Sequence, residues 1–248
     1  PASTIMHYLA RHFASYGGKL HQAEDEIAAI GAVIGAYFGG VPSITATAGP
    51  GLSLKQEMLG LSMVSETPCI LVNVQRGGPS TGLPTRTEQS DLMSAVFGCH
   101  GDNTKIVFSV ANVEDCFYAP HIARYLTEKL RVPVIIMSDY ITSVSYGVFE
   151  KFPLNELEDI NDISDDILAR FGLNRLPENI EMVKQNQSNP GEKDKVRRIT
   201  GLNTDDKGFV IYTAKSNERS HIIRNEKIHA VRRSLVMPEM IGDSEGGD

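Results

Sequence analysis

The sequence predicts an α/β protein: a doubly wound, mostly parallel sheet followed by an extended C-terminal arm. Short runs rich in Ile, Val and Thr, such as 43–48 and 68–75, alternate with longer segments whose apolar residues recur at helical spacing. Glycine-rich turns separate them at Gly17-Gly18, Gly39-Gly40 and Gly49-Pro50-Gly51. The texture then changes after about residue 150, where periodicity gives way to acidic and Pro/Gly-punctuated sequence.

Each element has its own signal. Residues 3–15 carry Ile5, Met6, Leu9 and Phe13 at helical spacing, with Ser3 or Thr4 as the cap. Gly17-Gly18 stops that helix, and 20–23 reads as a short strand. Asp25 and Glu26 open a second helix that carries Ile27, Ile30, Val33, Ile34 and Tyr37, since acidic residues suit the positive end of the helix dipole. Residues 43–48 read as a buried strand, and Gly49-Pro50-Gly51 turns tightly into a third helix over 52–65. The strongest strand signal is 68–75. It is followed by a Gly-, Pro- and Thr-rich loop over 76–87, a helix over 88–97, a strand over 105–110, a helix over 113–130 and a strand over 132–138. Repeated β-α-β units of this kind build a parallel sheet with helices on both faces. We therefore expect one domain over 1–150 and, over 151–248, an arm or linker around a partner without a core of its own. In that second part the carboxylates of 156–166 read as a solvated face. A short strand over 208–213 precedes a basic amphipathic helix near 219–235.

Composition narrows the function. The chain has 248 residues, 41% hydrophobic and 22% charged, within ordinary globular usage. Its net charge of −7 lacks the basic footprint that nucleic-acid binding requires. The three cysteines, Cys69, Cys99 and Cys116, are an odd and widely spaced set. They favour neither a disulfide framework nor a four-thiolate cluster. The seven histidines show no metal-ligand spacing, so no metal site is expected on this chain. The apolar run at 27–41 is fifteen residues, below the roughly 17–25 that cross a bilayer. No signal segment opens the chain, and the expectation is a cytoplasmic protein with no membrane or nucleic-acid partner.

In an open parallel sheet, ligands bind beyond the carboxyl ends of the strands. Three segments lie there: 22–26, 45–51 and 75–89. Gly49-Pro50-Gly51 is either a tight turn or a set of N–H groups for an anion, but no Gly-Lys-Ser/Thr follows to make a nucleotide loop. The acidic residues 24–26 are either a favourable helix start or a working carboxylate. The long loop over 76–87, with Arg76, Thr81, Thr85 and Arg86, is of the kind that carries function.

Taken together, the segments resemble one family. Ala-Glu-Asp-Glu-Ile-Ala-Ala-Ile-Gly at 23–31 looks like its thiamine-contacting helix start. Thr-Ala-Thr-Ala-Gly-Pro-Gly-Leu-Ser-Leu at 45–54 also matches, as does Gln-Arg-Gly-Gly-Pro-Ser-Thr-Gly-Leu-Pro-Thr-Arg-Thr-Glu-Gln-Ser-Asp-Leu at 75–92. The family is the α subunit of 2-oxoacid:ferredoxin oxidoreductases, most similar in its 2-oxoglutarate branch. The resemblance covers residues 1–145 well and the arm loosely. The Arg-Gly-Gly-Pro-Ser-Thr-Gly string is its most specific part.

This resemblance implies a pyrimidine-binding thiamine diphosphate fold and an enzyme split over subunits. A partner β subunit would hold the diphosphate, Mg²⁺ and a [4Fe-4S] cluster; no Gly-Asp-Gly diphosphate motif occurs here. The enzyme would decarboxylate a 2-oxoacid oxidatively, pass the acyl group to coenzyme A and send electrons to ferredoxin. Glu26 matches the carboxylate that bonds the pyrimidine ring and activates the cofactor, and Gly49 and Gly51 match its cofactor-binding turn. Arg76 suits the substrate carboxylate or keto oxygen, Thr85 its distal part, and Thr81 with Ser80 either substrate or the loop itself. The rival expectations are a pyruvate- or branched-chain-preferring member and a non-catalytic subunit that covers the partner's cofactor. The family's Tyr-Pro-Ile-Thr-Pro motif precedes the first helix, whereas this sequence starts at Pro1-Ala-Ser. The family also continues into a further α/β domain, so a fragment is expected.

Overall fold

The computed structural model describes residues 2–157, 159–160, 163–180, 190–193, 198–205 and 209–238. Its centre is a sheet of four parallel strands in the order β1-β2-β4-β3: β1 Ile44–Thr47, β2 Cys69–Gln75, β3 Ile106–Ser109 and β4 Pro133–Asp139. The two inner strands, β2 and β4, are buried along nearly their whole length. Strands covered on both faces read as almost continuous apolar runs, which is why their signals are the clearest in the sequence. The α/β class and the parallel sheet expected from the alternation are thus observed.

The flanking helices follow the chain. α1 is Ser3–His12 and α2 is Glu26–Phe38, which leads into β1. α3, Gly49–Val64, joins β1 to β2, and α4 is the short Leu92–Phe97. α5, Asp115–Leu130, joins β3 to β4. Ile30, Leu52, Leu59, Leu71, Ile122, Leu126 and Ile135 fill the interior between these layers.

Several expectations need correction. Residues 20–23 are irregular and not a strand, because among the described residues no strand pairs with them and the sheet ends at β1 and β3. α1 begins after Ala2 with no side-chain cap, buries none of its residues, and gives way to a 3-10 turn at Phe13–Tyr16. α3 starts at Gly49, so the Gly-Pro-Gly turn is itself the first turn of the helix, with proline in the N-terminal position it tolerates. α4 is shorter than 88–97 because the residues before it are committed elsewhere. Glu88 accepts from the Gly78 amide, Gln89 donates to Asp139, and the Asp91 amide donates to Gln75. Of the strand expected over 208–213, Gly208 lies outside the described residues, and Val210 forms only an isolated antiparallel bridge to Thr204.

The second part of the chain packs back on the first. α6 is Tyr140–Val144, α7 is Asp165–Arg170 and α8 is Ala214–Ser234. Leu157, Ile163, Leu168, Leu173, Leu176 and Ala230 join the same apolar core as the sheet. Asp165 and Asp166 are exposed at the start of α7, whose Ser164 hydroxyl caps Ile167. Glu158 and Asp162, and the structure of 181–189, 194–197 and 239–248, lie outside the described residues. Among the described residues, no helix is long and apolar enough to cross a membrane.

Candidate functional site

The site grows from the carboxyl ends of β1, β2 and β4. Strand register puts Thr47, Asn73 and Met137 in one row, and Gln75 beside Asp139 two residues further out on the same strands. Each strand then hands the chain to a segment singled out in the sequence. β1 runs into α3 at Gly49, β2 runs into the loop at Arg76, and β4 ends on Asp139, the cap of α6.

Glu26 is the first helical residue of α2. Its neighbour Asp25 does the capping, its carboxylate accepting the Ala28 amide at 2.8 Å. That division of labour leaves the half-buried Glu26 carboxylate outside the helix's own hydrogen bonding. Gly51 approaches it closely: a Cβ at this glycine would lie 2.0 Å from Thr47 Oγ1, 2.9 Å from Glu26 Cγ and 3.1 Å from Glu26 Oε1. Only a residue with no side chain fits between α3 and the start of α2. The structure therefore brings Glu26 and Gly51 together. Gly49 sits apart from that pair, with a virtual Cβ 3.2 Å from an Asp91 carboxylate oxygen.

The loop after β2 is built by its own backbone. The Gly77 amide donates to the Arg86 carbonyl at 2.9 Å, Gly77 and Leu83 form an antiparallel bridge, and the Gly82 amide donates to Pro79. The Gly78–Pro79 peptide is cis. Arg76 is half-buried at the root of this loop, with its Nε buried and without a hydrogen-bond partner among the described residues. A buried guanidinium nitrogen left unpaired is costly, so this one is available to an acceptor from outside the chain. Ser80, Thr81 and Thr85 lie on the exposed part of the loop. Among the described residues no side-chain hydrogen bond of the two threonines is formed.

Sequence reasoning gave no role to the polar network that anchors the loop. Asn73 donates to Asp91 at 2.9 Å, the Asp91 amide donates to Gln75 at 3.1 Å, and Gln89 donates to Asp139 at 2.5 Å. Asp139 also accepts the Thr142 amide at 2.7 Å. Burial alone would raise the Asp139 carboxyl, but the amides of Thr142 and Gln89 more than offset it and hold it below the usual carboxylate value. The signal for the network was present: Asn73 and Gln75 are polar residues inside an otherwise apolar strand. Sequence reasoning also missed Lys55, which is 1% exposed and donates to the Glu26 carbonyl at 3.0 Å. Burial pulls its ammonium below the ordinary value, against the attraction of Glu26. Among the described residues no group of His, Cys, Asp and Glu is arranged to hold a metal.

Comparison with known proteins decides the family. The model of the pyruvate flavodoxin/ferredoxin oxidoreductase, thiamine diphosphate-binding family matches residues 1–203. The chain belongs to that family. Within it, the 2-oxoglutarate synthase subunit KorA of Methanothermobacter marburgensis is 49% identical over 141 residues, 57% of this chain and 38% of that protein. The 2-oxoglutarate oxidoreductase subunit KorA of Mycobacterium tuberculosis is 45% identical over 139 residues, 56% of this chain and 21% of that protein. A solved structure of the 2-oxoglutarate:ferredoxin oxidoreductase from Magnetococcus marinus, with 2-oxoglutarate, coenzyme A and succinyl-CoA bound, superposes with a TM-score of 0.76 at 38% identity. It covers 94% of this chain and 40% of that one. The chain thus spans less than half the length of these family members, and they carry the 2-oxoglutarate names that the motifs at 23–31, 45–54 and 75–92 suggest.

Proposed function

We propose that this chain supplies the pyrimidine-binding part of a thiamine diphosphate-dependent 2-oxoacid:ferredoxin oxidoreductase, with 2-oxoglutarate as the preferred substrate. The observation that carries the proposal is the Glu26 carboxylate, left free by the Asp25 cap and facing the side-chain-free surface of Gly51. The residues present fit the pyrimidine end of the cofactor. A flat ring needs a cradle without a Cβ beside it and an acidic acceptor at its edge, and Gly51 and Glu26 provide these. Gly49 belongs to the same first turn of α3. When bound, thiamine diphosphate supplies a carbon nucleophile that attacks the 2-keto carbon and holds the electrons released as CO₂ leaves.

The chain's own residues do the rest of the work assigned to them here. Glu26 accepts the hydrogen bond of the pyrimidine ring nitrogen and so directs the proton balance of that ring. Arg76 presents its unpaired Nε to the substrate carboxylate or keto oxygen, where a planar guanidinium matches carboxylate geometry. Thr85 selects the distal part of the 2-oxoacid, and Thr81 steadies substrate or loop. The diphosphate, Mg²⁺ and the [4Fe-4S] cluster would be held by a β subunit, the cluster supplying the route for electrons to ferredoxin and coenzyme A serving as the acyl acceptor. In this reading residues 1–150 form the cofactor domain, 151–248 form a linking segment, and the complex works in the cytoplasm.

The test is hydrogen–deuterium exchange at C2 of the bound cofactor in the assembled complex. Glu26→Gln should leave the cofactor bound and slow exchange on the order of 10²-fold. An unchanged rate would remove Glu26 from this role and make Glu24 the next candidate.

A further inference from the structure

Lys55 is a fully buried charge beside Glu26, and the chemistry above makes no use of it. It lies four residues after Gly51, one turn further along α3, so both project from the same helix face. Gly51 meets the Glu26 side chain and Lys55 holds the Glu26 backbone carbonyl at 3.0 Å. One face of α3 therefore grips Glu26 at both its ends.

The position opposes a cation in two ways. Burial disfavours the charged form. The start of α2 also presents the positive end of that helix's dipole, and a cation is least welcome there. An apolar residue would suit the stripe that Lys55 shares with Leu52 and Leu59 without either cost. The attraction of Glu26 and, further down, Asp25 works against those costs. The nearby Cys69 thiol, pushed up to about 12 by burial, stays neutral and is no rival counter-ion at neutral pH. An ammonium does two things here that a methyl group cannot. It fixes the carbonyl, and so the direction in which the Glu26 side chain leaves the helix. It also supplies a counter-charge against which a carboxylate accepts a hydrogen bond.

We propose that Lys55 is a positioning residue, anchoring Glu26 through its carbonyl and its charge so that the carboxylate meets the pyrimidine ring of thiamine diphosphate. This rests on the Glu26 reading above, and the test separates the two. In the assembled complex, the cofactor dissociation constant is measured by calorimetric titration for wild type, Lys55→Met, Glu26→Gln and the double variant, with C2 exchange followed in parallel. Lys55→Met should weaken binding about tenfold in the Glu26 background and less than about threefold in the Glu26→Gln background, because neighbours that act through one another are not additive. Lys55→Arg, which keeps charge and donor, should restore most of the affinity. Equal losses in both backgrounds, the signature of a merely structural lysine, would overturn the proposal, as would no loss in either. If Glu26→Gln alone leaves affinity and exchange unchanged, the reading of Glu26 fails first and this one with it. Should Lys55→Met not assemble, Lys55→Gln carries the same cycle, with coupled loss expected and additive loss fatal.

Discussion

Two buried lysines sit against the two halves of α3, one of its own and one from α8, and they are bonded differently. In the first half of the helix, reaching toward the start of α2, Lys55 has a backbone carbonyl as its hydrogen-bond partner. At the far end, just past Val64 and about 16 Å further along the helix axis, Lys227 of α8 donates to the Glu66 carboxylate at 2.7 Å and is likewise 1% exposed. Glu66 takes a left-handed backbone conformation, and its carbonyl accepts from Arg131 at 3.0 Å. The far end is a closed ion pair that fastens the second part of the chain to the first. The near end keeps its lysine beside a carboxylate that is not spent on a salt bridge. A buried charge with a full partner resists unfolding when that partner is kept, whereas a buried charge on a carbonyl biases what its neighbour can bind.

The largest expected effect lies at the near end. Arg76→Met in the assembled complex should cost roughly 2–5 kcal/mol of transition-state binding, as for other desolvated charge pairs. That corresponds to about 30- to 5,000-fold in kcat/KM. The loss should appear with 2-oxoglutarate, pyruvate and 2-oxobutyrate alike, while Thr85→Ala should reorder them. A drop below about threefold for all three substrates, with cofactor occupancy checked, would place Arg76 outside the substrate site.

Next comes the far end. Glu66→Ala leaves the Lys227 ammonium buried without its carboxylate. The expected loss is about 3 kcal/mol, at the lower end of the range for broken buried pairs because Glu66 keeps some solvent contact. Adding Lys227→Met should recover most of it. Urea unfolding gives the stability change, and cofactor affinity of the complex should stay within about twofold. A fall in affinity that matches the fall in stability would erase the distinction between the two ends of α3.

Much of this was legible in the sequence, and the gaps have physical causes. β2 and β4 are apolar along most of their length because both their faces are covered, so no tertiary knowledge was needed to find them. Asp25-Glu26 announced the start of α2, but which of the two caps and which stays free is decided by three-dimensional geometry. The two lysines were missed because a lone cation within a helix is ordinarily on the surface. Their spacing held the clue. Lys55 falls on the stripe of Leu52 and Leu59, and Lys227 on that of Ala230 and Ser234, where helical periodicity demands a buried residue. The strand expected over 20–23 failed for the opposite reason: its local pattern was adequate, but a strand needs a partner, and local sequence does not supply one.

A smaller effect separates two glycines of α3. Gly51→Ala drives a methyl into Thr47 Oγ1 and Glu26 Cγ and should cost about 1–3 kcal/mol by overpacking, with weaker cofactor binding besides. Gly60→Ala meets nothing within 4 Å. It should stabilise the chain by about 0.5–1 kcal/mol, because glycine loses more backbone freedom in a helix than alanine. Equal behaviour of the two variants in thermal unfolding would contradict the close approach of α3 to Glu26.

The smallest effect is a difference in pH dependence. Burial pulls the Lys55 ammonium below its ordinary value of 10.5. Between the lowered value and 10.5 the unfolded chain holds more protons than the folded one, so the stability contributed at this site rises with pH across that window. Below the window both states are protonated and the burial cost is present in full. Wild type should therefore gain on Lys55→Met as pH climbs toward about 10, by no more than about 1.4 kcal/mol per unit for one proton. Cys69 titrates in the opposite sense. Its folded thiol is pushed up to about 12 by burial, so it loses stability above its ordinary value of 9.0 in both proteins. Lys55 is the one charge that lowers that thiol. Its removal deepens the alkaline loss in the variant and adds to the same trend. Urea midpoints of both proteins under reducing conditions, taken in steps from neutral to alkaline pH, give the difference curve. A curve that already climbs at the full one-proton slope at neutral pH would mean that Lys55 is not charged in its buried position there. The counter-charge half of its proposed role would then be lost, while its bond to the Glu26 carbonyl would stand.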